Sequence, residues 1–229
     1  MKLKKIASLM LAGVMAVSML AGCSTGKVDP EPTPNPDPTP AAGYSDVLAE
    51  NLNDDAKKDY ITYEDNADDI AALEDALGNL SSTSLTDYAI LPKTVAPVAD
   101  VFATADMKLV IDDFANSAKI ENENLSKKDA YENLLWFFNY GRNSDDVKYG
   151  LLYVIDGTVD VNKALAQVAN KIEWSLERLP NVNASNVARV TYDYTVSASV
   201  VNKALEPFAG YTLSANFIAV TITRTATQL

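Results

Sequence analysis

The stretch ARVTYDYTVSASV, residues 188–200, alternates apolar and polar side chains without a break. The apolar set is Ala188, Val190, Tyr192, Tyr194, Val196, Ala198 and Val200, and the polar set is Arg189, Thr191, Asp193, Thr195, Ser197 and Ser199. Because successive strand residues point to opposite faces, the pattern predicts a strand with one buried and one solvent-facing side. A single wet face is typical of antiparallel sheets.

Two other stretches have the character of strands. VKYGLLYVIDG, residues 147–157, alternates large apolar residues and ends in an Asp156-Gly157 turn. YTLSANFIAVTITR, residues 211–224, is rich in β-branched and aromatic residues. The segment NKALEPFAG, residues 202–210, is interpreted as the connection before this last strand.

Helices are predicted mainly ahead of these strands. The 3.6-residue apolar spacing favours helices over residues 44–60, 66–77, 126–141 and 161–179. Residues 107–120 fit either a helix or a strand, and the helix is favoured. Asp160 is the predicted N-cap of the last helix and Pro180 its stop. This order predicts an α+β fold, in which N-terminal helices pack on one face of a small, mainly antiparallel sheet formed by the C-terminal half.

Aromatic residues supply the first candidate for a binding site. Trp136 and Phe137 lie off the apolar stripe of the 126–141 helix, and Trp174 lies on the 161–179 helix. Exposed rings of this kind could stack on sugars or peptides. The alternative is that the aromatic residues, Tyr149 and Tyr153 included, fill the core between helix and sheet.

Acidic runs supply the second candidate. EDNADD, residues 64–69, and NSDD, residues 143–146, carry oxygen ligands that calcium prefers. Neither run matches an EF-hand loop, and acids are expected at helix N-termini because of the helix dipole. Paired carboxylates for glycoside hydrolysis are also conceivable among the 31 acids, but the sequence selects no pair. We therefore predict no metal site and no catalytic residue.

Composition excludes several kinds of chemistry. The chain has no histidine and one cysteine, Cys23, so Ser-His-Asp and Cys-His catalysis and histidine metal sites are absent. No cofactor is predicted. The net charge of −12 argues against a nucleic-acid partner, because phosphates would be repelled.

The position of Cys23 indicates a membrane anchor. Lys2, Lys4 and Lys5 precede an apolar run from Ile6 to Leu20, too short to span a bilayer but typical of a signal peptide. The run ends in Leu20-Ala21-Gly22-Cys23, which resembles the lipobox of bacterial lipoproteins. The resemblance covers residues 1–26 and implies cleavage before Cys23 and a diacylated Cys23 thiol. It also implies a cell-membrane location, lipid-anchored and facing outside the cytoplasm.

A proline-rich tract follows the cysteine. DPEPTPNPDPTPAAG, residues 29–43, has proline at every second position from Pro30 to Pro40, which favours extended polyproline II. At about 3.1 Å per residue the tract spans roughly 40 Å and is interpreted as a passive spacer. The predicted organisation is therefore a signal peptide (1–22), a lipidated cysteine with spacer (23–43) and one globular domain (44–229).

These features together favour a surface-exposed lipoprotein with a non-catalytic role, either binding a ligand or partner or acting structurally in the envelope. Its expected partners are the membrane, through the anchor, and an unidentified protein or glycan. The alternative is a carboxylate-dependent hydrolase acting on cell-wall or dietary glycan. A cleft with two facing acids would favour the alternative.

Overall fold

The computed structural model of the chain describes residues 43–78, 80, 91–101, 105–120, 125–126, 134–135, 138, 144–183, 190–208 and 211–228. Its elements follow one another as α1 (Tyr44–Glu50), a 3-10 turn (Asp54–Ala56), β1 (Ile61–Tyr63), α2 (Ala67–Gly78), β2 (Ala96–Pro97), α3 (Val98–Val101), α4 (Ala105–Ser117), β3 (Leu125–Ser126), β4 (Val147–Asp156), α5 (Val161–Leu176), β5 (Val190–Phe208) and β6 (Tyr211–Gln228). Leu134, Leu135 and Phe138 are also helical. The α+β class is confirmed.

The sheet is mixed but mainly antiparallel. Its strand order is β1-β5-β6-β4-β2, and β3 also pairs with β4. The long pairs β5–β6 and β6–β4 are antiparallel, whereas the short strands β1 and β3 join in parallel. The three long strands come from the C-terminal half, as predicted, and the short strands, which precede them in the chain, extend the sheet at its edges.

Strand β5 carries the predicted buried face. Its even-numbered residues from Val190 to Val200 are each at most 8% exposed. The strand also continues to Phe208, so residues 202–208, predicted as a connection, are strand instead. Pairing with β6 supplies the reason, because register is kept down to Phe208 opposite Tyr211, with one irregularity after Leu205.

Helices pack on the sheet, as predicted, but they lie on both of its faces rather than on one. Leu151, Tyr153 and Ile155 of β4 pack with α1 and α5. Leu152 and Val154, which point the other way, pack with α2 and α4. Strand β4 is buried on both sides because its run Leu151–Ile155 is continuously apolar, which is typical of a strand covered by two layers.

The polar side of β5 is accordingly divided. Asp193 is exposed and Thr191 and Thr195 are half-buried, as the alternation predicted. Ser197 and Ser199 are buried, at 3% and 1% exposure, where α2 crosses this face. The open half of the face therefore ends where the first turn of α2 begins.

Helix α5 forms as predicted. The Asp160 side chain accepts a hydrogen bond from the Lys163 amide at 3.1 Å and so caps the helix N-terminus. Leu165, Val168 and Ile172 are buried against the sheet. The regular helix ends at Leu176, three residues before the predicted end at residue 179.

Candidate functional site

The aromatic candidates are separated by the fold. Tyr149 and Tyr153 are 1% and 3% exposed and belong to the core, which confirms the packing interpretation for these two. Trp174 is 47% exposed. The side chains of Trp136 and Phe137, like Cys23, lie outside the described residues.

Trp174 is covered by Arg178, which lies just past the end of α5. The Arg178 guanidinium lies 4.2 Å from the Trp174 ring centroid and also pairs with Glu177 at 3.0 Å. A hydrogen bond from Asn53 and the pairing with Arg178 hold the pKa of Glu177 below its ordinary value. These contacts make Trp174 part of a polar surface network, and a single exposed aromatic needs no ligand to explain it.

A groove on the α2–α4 side of the sheet is the better candidate. It has a volume of about 330 Å³ and lies where the start of α2, the end of α4 and strand β4 meet. Its lining residues are Asn66, Asp68, Asp69, Ala71, Ala72, Asp75, Ser117, Ala118, Lys119 and Lys148. Asn66, Asp68 and Asp69 belong to the EDNADD run, whereas Asp75, Lys119 and Lys148 were not among the sequence candidates.

The groove has a buried ionic floor. Asp69 is fully buried, and its two carboxylate oxygens contact Lys148 Nζ and, at 2.6 Å, Thr221 Oγ1. Lys148 Nζ also donates to the Ala118 carbonyl at 3.0 Å. The ion pair thus ties together α2, the end of α4 and the two strands β4 and β6. Removing one partner of such a pair costs about 3–5 kcal/mol, because the other charge stays buried.

The start of α2 is fixed by Asn66. Its side-chain oxygen accepts a hydrogen bond from the Asp68 amide at 2.9 Å, the ordinary work of an N-cap. The backbone amide of Asn66 donates a hydrogen bond to Ser197 Oγ at 3.1 Å. Ser197, a polar position of the alternating strand, therefore anchors the groove wall to the sheet.

The end of α4 is closed by a strained lysine. Lys119 has φ 59°, the one positive φ of a non-glycine residue in the described ranges. The Ile120 amide donates to the Ala115 carbonyl at 2.7 Å, which satisfies the helix end in the manner of a Schellman motif. Glycine is the usual residue at this position, and a side chain there costs about 1–2 kcal/mol.

Charge is unevenly placed around the opening. Asp68 and Asp75 are exposed on α2, whereas Lys119 is exposed on the opposite wall. Between them the walls carry small side chains, Ala71, Ala72, Ser117 and Ala118. The groove is thus an open polar trough with acidic and basic sides.

A second polar cluster follows β4. Asp156 accepts hydrogen bonds from Thr158 and from Lys93, the latter at 2.9 Å. Partial burial acts to raise the pKa of Asp156, but these hydrogen bonds outweigh it and lower that pKa below its ordinary value. Lys93 Nζ donates a hydrogen bond to Thr158 Oγ1 at 2.7 Å. A nucleophilic hydroxyl would instead donate its proton to a general base, so this lysine is not placed to activate Thr158. The cluster therefore acts as a turn closure.

The second acidic run, residues 143–146, forms hydrogen bonds with strand β6. Asp146 Oδ1 accepts a hydrogen bond from the Ala226 amide at 2.8 Å, and the Asp145 carbonyl accepts one from Arg224 at 3.2 Å. Across the described parts of the chain, no three acidic, histidine or cysteine side chains are placed to hold a metal ion.

No described helix has the length and apolar character needed to cross a bilayer.

The α2–α4 groove is the candidate site because of its geometry: a charged opening, walls of small side chains and a buried ionic floor. Comparison of the chain with protein-family models, curated proteins and solved structures finds no match.

Proposed function

We propose that this chain is a lipid-anchored bacterial lipoprotein, facing outside the cytoplasm, whose folded part has a non-catalytic binding role. The observation that carries the proposal is the sequence Leu20-Ala21-Gly22-Cys23 at the end of a short apolar run with a basic start. A diacylated Cys23 would supply two acyl chains, which is what stable attachment to a membrane requires.

The charge and the spacer support this arrangement. Without the three lysines of residues 1–22, the net charge changes from −12 to about −15. Anionic lipid repels a chain of this charge, so the acyl anchor, rather than the protein surface, would attach the protein to the membrane. The proline-rich tract then holds the folded part away from the membrane.

A binding role agrees with the groove better than catalysis does. Asp69 is fully buried beneath the groove, so it cannot touch a substrate. Asp68 and Asp75 both lie on α2, on one wall of the groove, whereas the two acids of a glycosidase flank the bond that is cleaved. The hydrolase alternative therefore has less support.

The anchor is tested by the variant Cys23→Ser. We expect the protein to leave the membrane fraction and appear in the medium or accumulate as uncut precursor, because serine cannot accept the diacylglyceryl group. Immunoblots of fractionated cells and incorporation of labelled fatty acid measure the two effects.

Ser24→Ala is the matched control, since it alters the neighbouring residue and leaves the thiol. It should behave as the unaltered protein does. A Cys23→Ser protein that is cleaved and membrane-bound to the usual extent would overturn the proposal.

A further inference from the structure

We propose that the α2–α4 groove binds a short peptide by its two charged ends, ammonium toward α2 and carboxylate toward Lys119. This rests on the binding role proposed above and names the ligand class. The volume of about 330 Å³ lies at the lower end of small-molecule sites, which suits a ligand of two or three small residues.

The charges around the opening select a ligand with both signs. Lys148 is already paired with Asp69 in the floor, so the charges left at the rim are Asp68 and Asp75 on one side and Lys119 on the other. A polyamine would meet Lys119, and a dianion would meet the two aspartates. A ligand with one ammonium and one carboxylate forms charge-assisted hydrogen bonds at both walls.

The walls allow a backbone to lie between them. Helix α2 presents Asp68, Ala71, Ala72 and Asp75 along one stripe, with the small residues in the middle. Ser117 and Ala118 are equally small on the opposite wall. The trough has no large apolar pocket among its lining residues, so the ligand is recognised by its ends rather than by its side chains.

Lys119 gives the proposal a distinguishing test. Its left-handed backbone would be unstrained for glycine, and yet the residue is a lysine whose side chain lines the groove. A lysine also suits a helix C-terminus for electrostatic reasons, so strain alone decides nothing. If Lys119 binds ligand, Lys119→Gly should stabilise the fold and weaken binding together.

The binding experiment uses tri-alanine with free ends, titrated calorimetrically into the protein as cells produce it, purified in detergent. The comparison ligands are N-acetylated tri-alanine, tri-alanine amide and a neutral disaccharide. We expect tri-alanine to bind, each blocked form to bind about 3- to 5-fold more weakly, and the disaccharide to give no heat. Absence of tri-alanine binding, equal binding of the blocked forms or preference for the disaccharide would each overturn the proposal.

Variants of exposed residues locate the site. Ala71→Phe should fill the trough and abolish binding, whereas Ala67→Phe, one turn earlier and outside the lining, should not. Asp75→Asn should weaken binding about 3- to 5-fold, whereas its exposed neighbour Glu74→Gln should leave it unchanged. Lys119→Gly should weaken binding to the same degree and raise the melting midpoint.

Loss of binding in Ala67→Phe as well, or unchanged binding in Lys119→Gly, would contradict the assignment. These measurements need no membrane, so their failure leaves the Cys23 experiment untouched. Conversely, a protein that proves not to be anchored can still be tested for the groove.

Discussion

Arg224 places a permanent positive charge in the core of the molecule. Its side chain is fully buried, and the guanidinium carbon lies 4.5 Å from the Tyr192 ring centroid. The guanidinium donates to the carbonyls of Phe138 at 3.3 Å and Asp145 at 3.2 Å. The planar fork of arginine suits this combination of stacking and several hydrogen bonds. Arg224 therefore fastens the segments that precede β4 to strand β6.

Replacing Arg224 should cost much more stability than replacing a surface arginine. Arg224→Ala leaves a cavity and two carbonyls without these donors, so the free energy of unfolding should fall by about 3 kcal/mol or more. Arg178→Ala, which removes the exposed partner of Trp174, should cost about 1 kcal/mol or less. Urea unfolding followed by circular dichroism measures both, and equal losses would contradict this role for Arg224.

Only some residues of the groove can be recognised from their neighbours in the sequence. The EDNADD run was visible as a cluster, since Asn66, Asp68 and Asp69 lie close together in the chain. Lys119 and Lys148 carry no local signal, because each is an ordinary lysine until the fold brings it to α2. Asp69 is also indistinguishable in sequence from its exposed neighbour Asp68, and only the packing of α2 on the sheet separates them.

At the scale of elements, alternating strands and continuously apolar strands predict different kinds of burial. Strict alternation in β5 correctly placed its buried face, because the side-chain period of a strand is two. Strand β4 is also apolar without interruption from Leu151 to Ile155, and β6 from Phe217 to Val220, which is typical of strands covered on both faces. The prediction rested on alternation alone and did not use these runs. The short strands β1, β2 and β3 have two or three residues each and are defined by their partners rather than by their own sequence.

The divided face of β5 predicts an unequal response to added charge. Val196→Asp and Ser199→Asp both bury an unpaired carboxylate, one under α1 and α5 and the other on the α2 side, and each should cost several kcal/mol. Thr195→Asp, at a half-buried position on the open part of the same face as Ser199, should cost about 1 kcal/mol or less.

Thermal melts of these three proteins test the two-layer arrangement directly. A Ser199→Asp protein as stable as Thr195→Asp would mean that α2 does not cover this end of the strand. Equal, large losses in all three would mean that the whole face is covered.

On the scale of the whole molecule, the beginning of α1 joins the sheet through polar contacts. Ser45 Oγ accepts a hydrogen bond from the Ala198 amide at 2.9 Å, and the Ser45 amide donates to Asp65 at 2.8 Å. A side-chain carbon at Gly43 would meet the Asp65 carboxylate at 2.0 Å, so a larger residue there would push Asp65 away from the Ser45 amide. The folded part therefore includes Gly43, the last residue of the proline-rich tract, in addition to the predicted residues 44–229.

This boundary gives a sharp expectation for shortened chains. A chain that begins at Ala41 keeps Gly43, Ser45 and the first turn of α1, so its melting midpoint should match that of the full chain within about 2 °C. A chain that begins at Asp46 loses both Ser45 hydrogen bonds and leaves the Ala198 amide buried without its acceptor. Its midpoint should be lower by about 5 °C or more, since 1 kcal/mol corresponds to about 2–4 °C for a domain of this size. Differential scanning calorimetry of the three chains decides the matter. If the Ala41 chain melts as low as the Asp46 chain, the proline-rich tract stabilises the folded part, and its interpretation as a passive spacer is wrong.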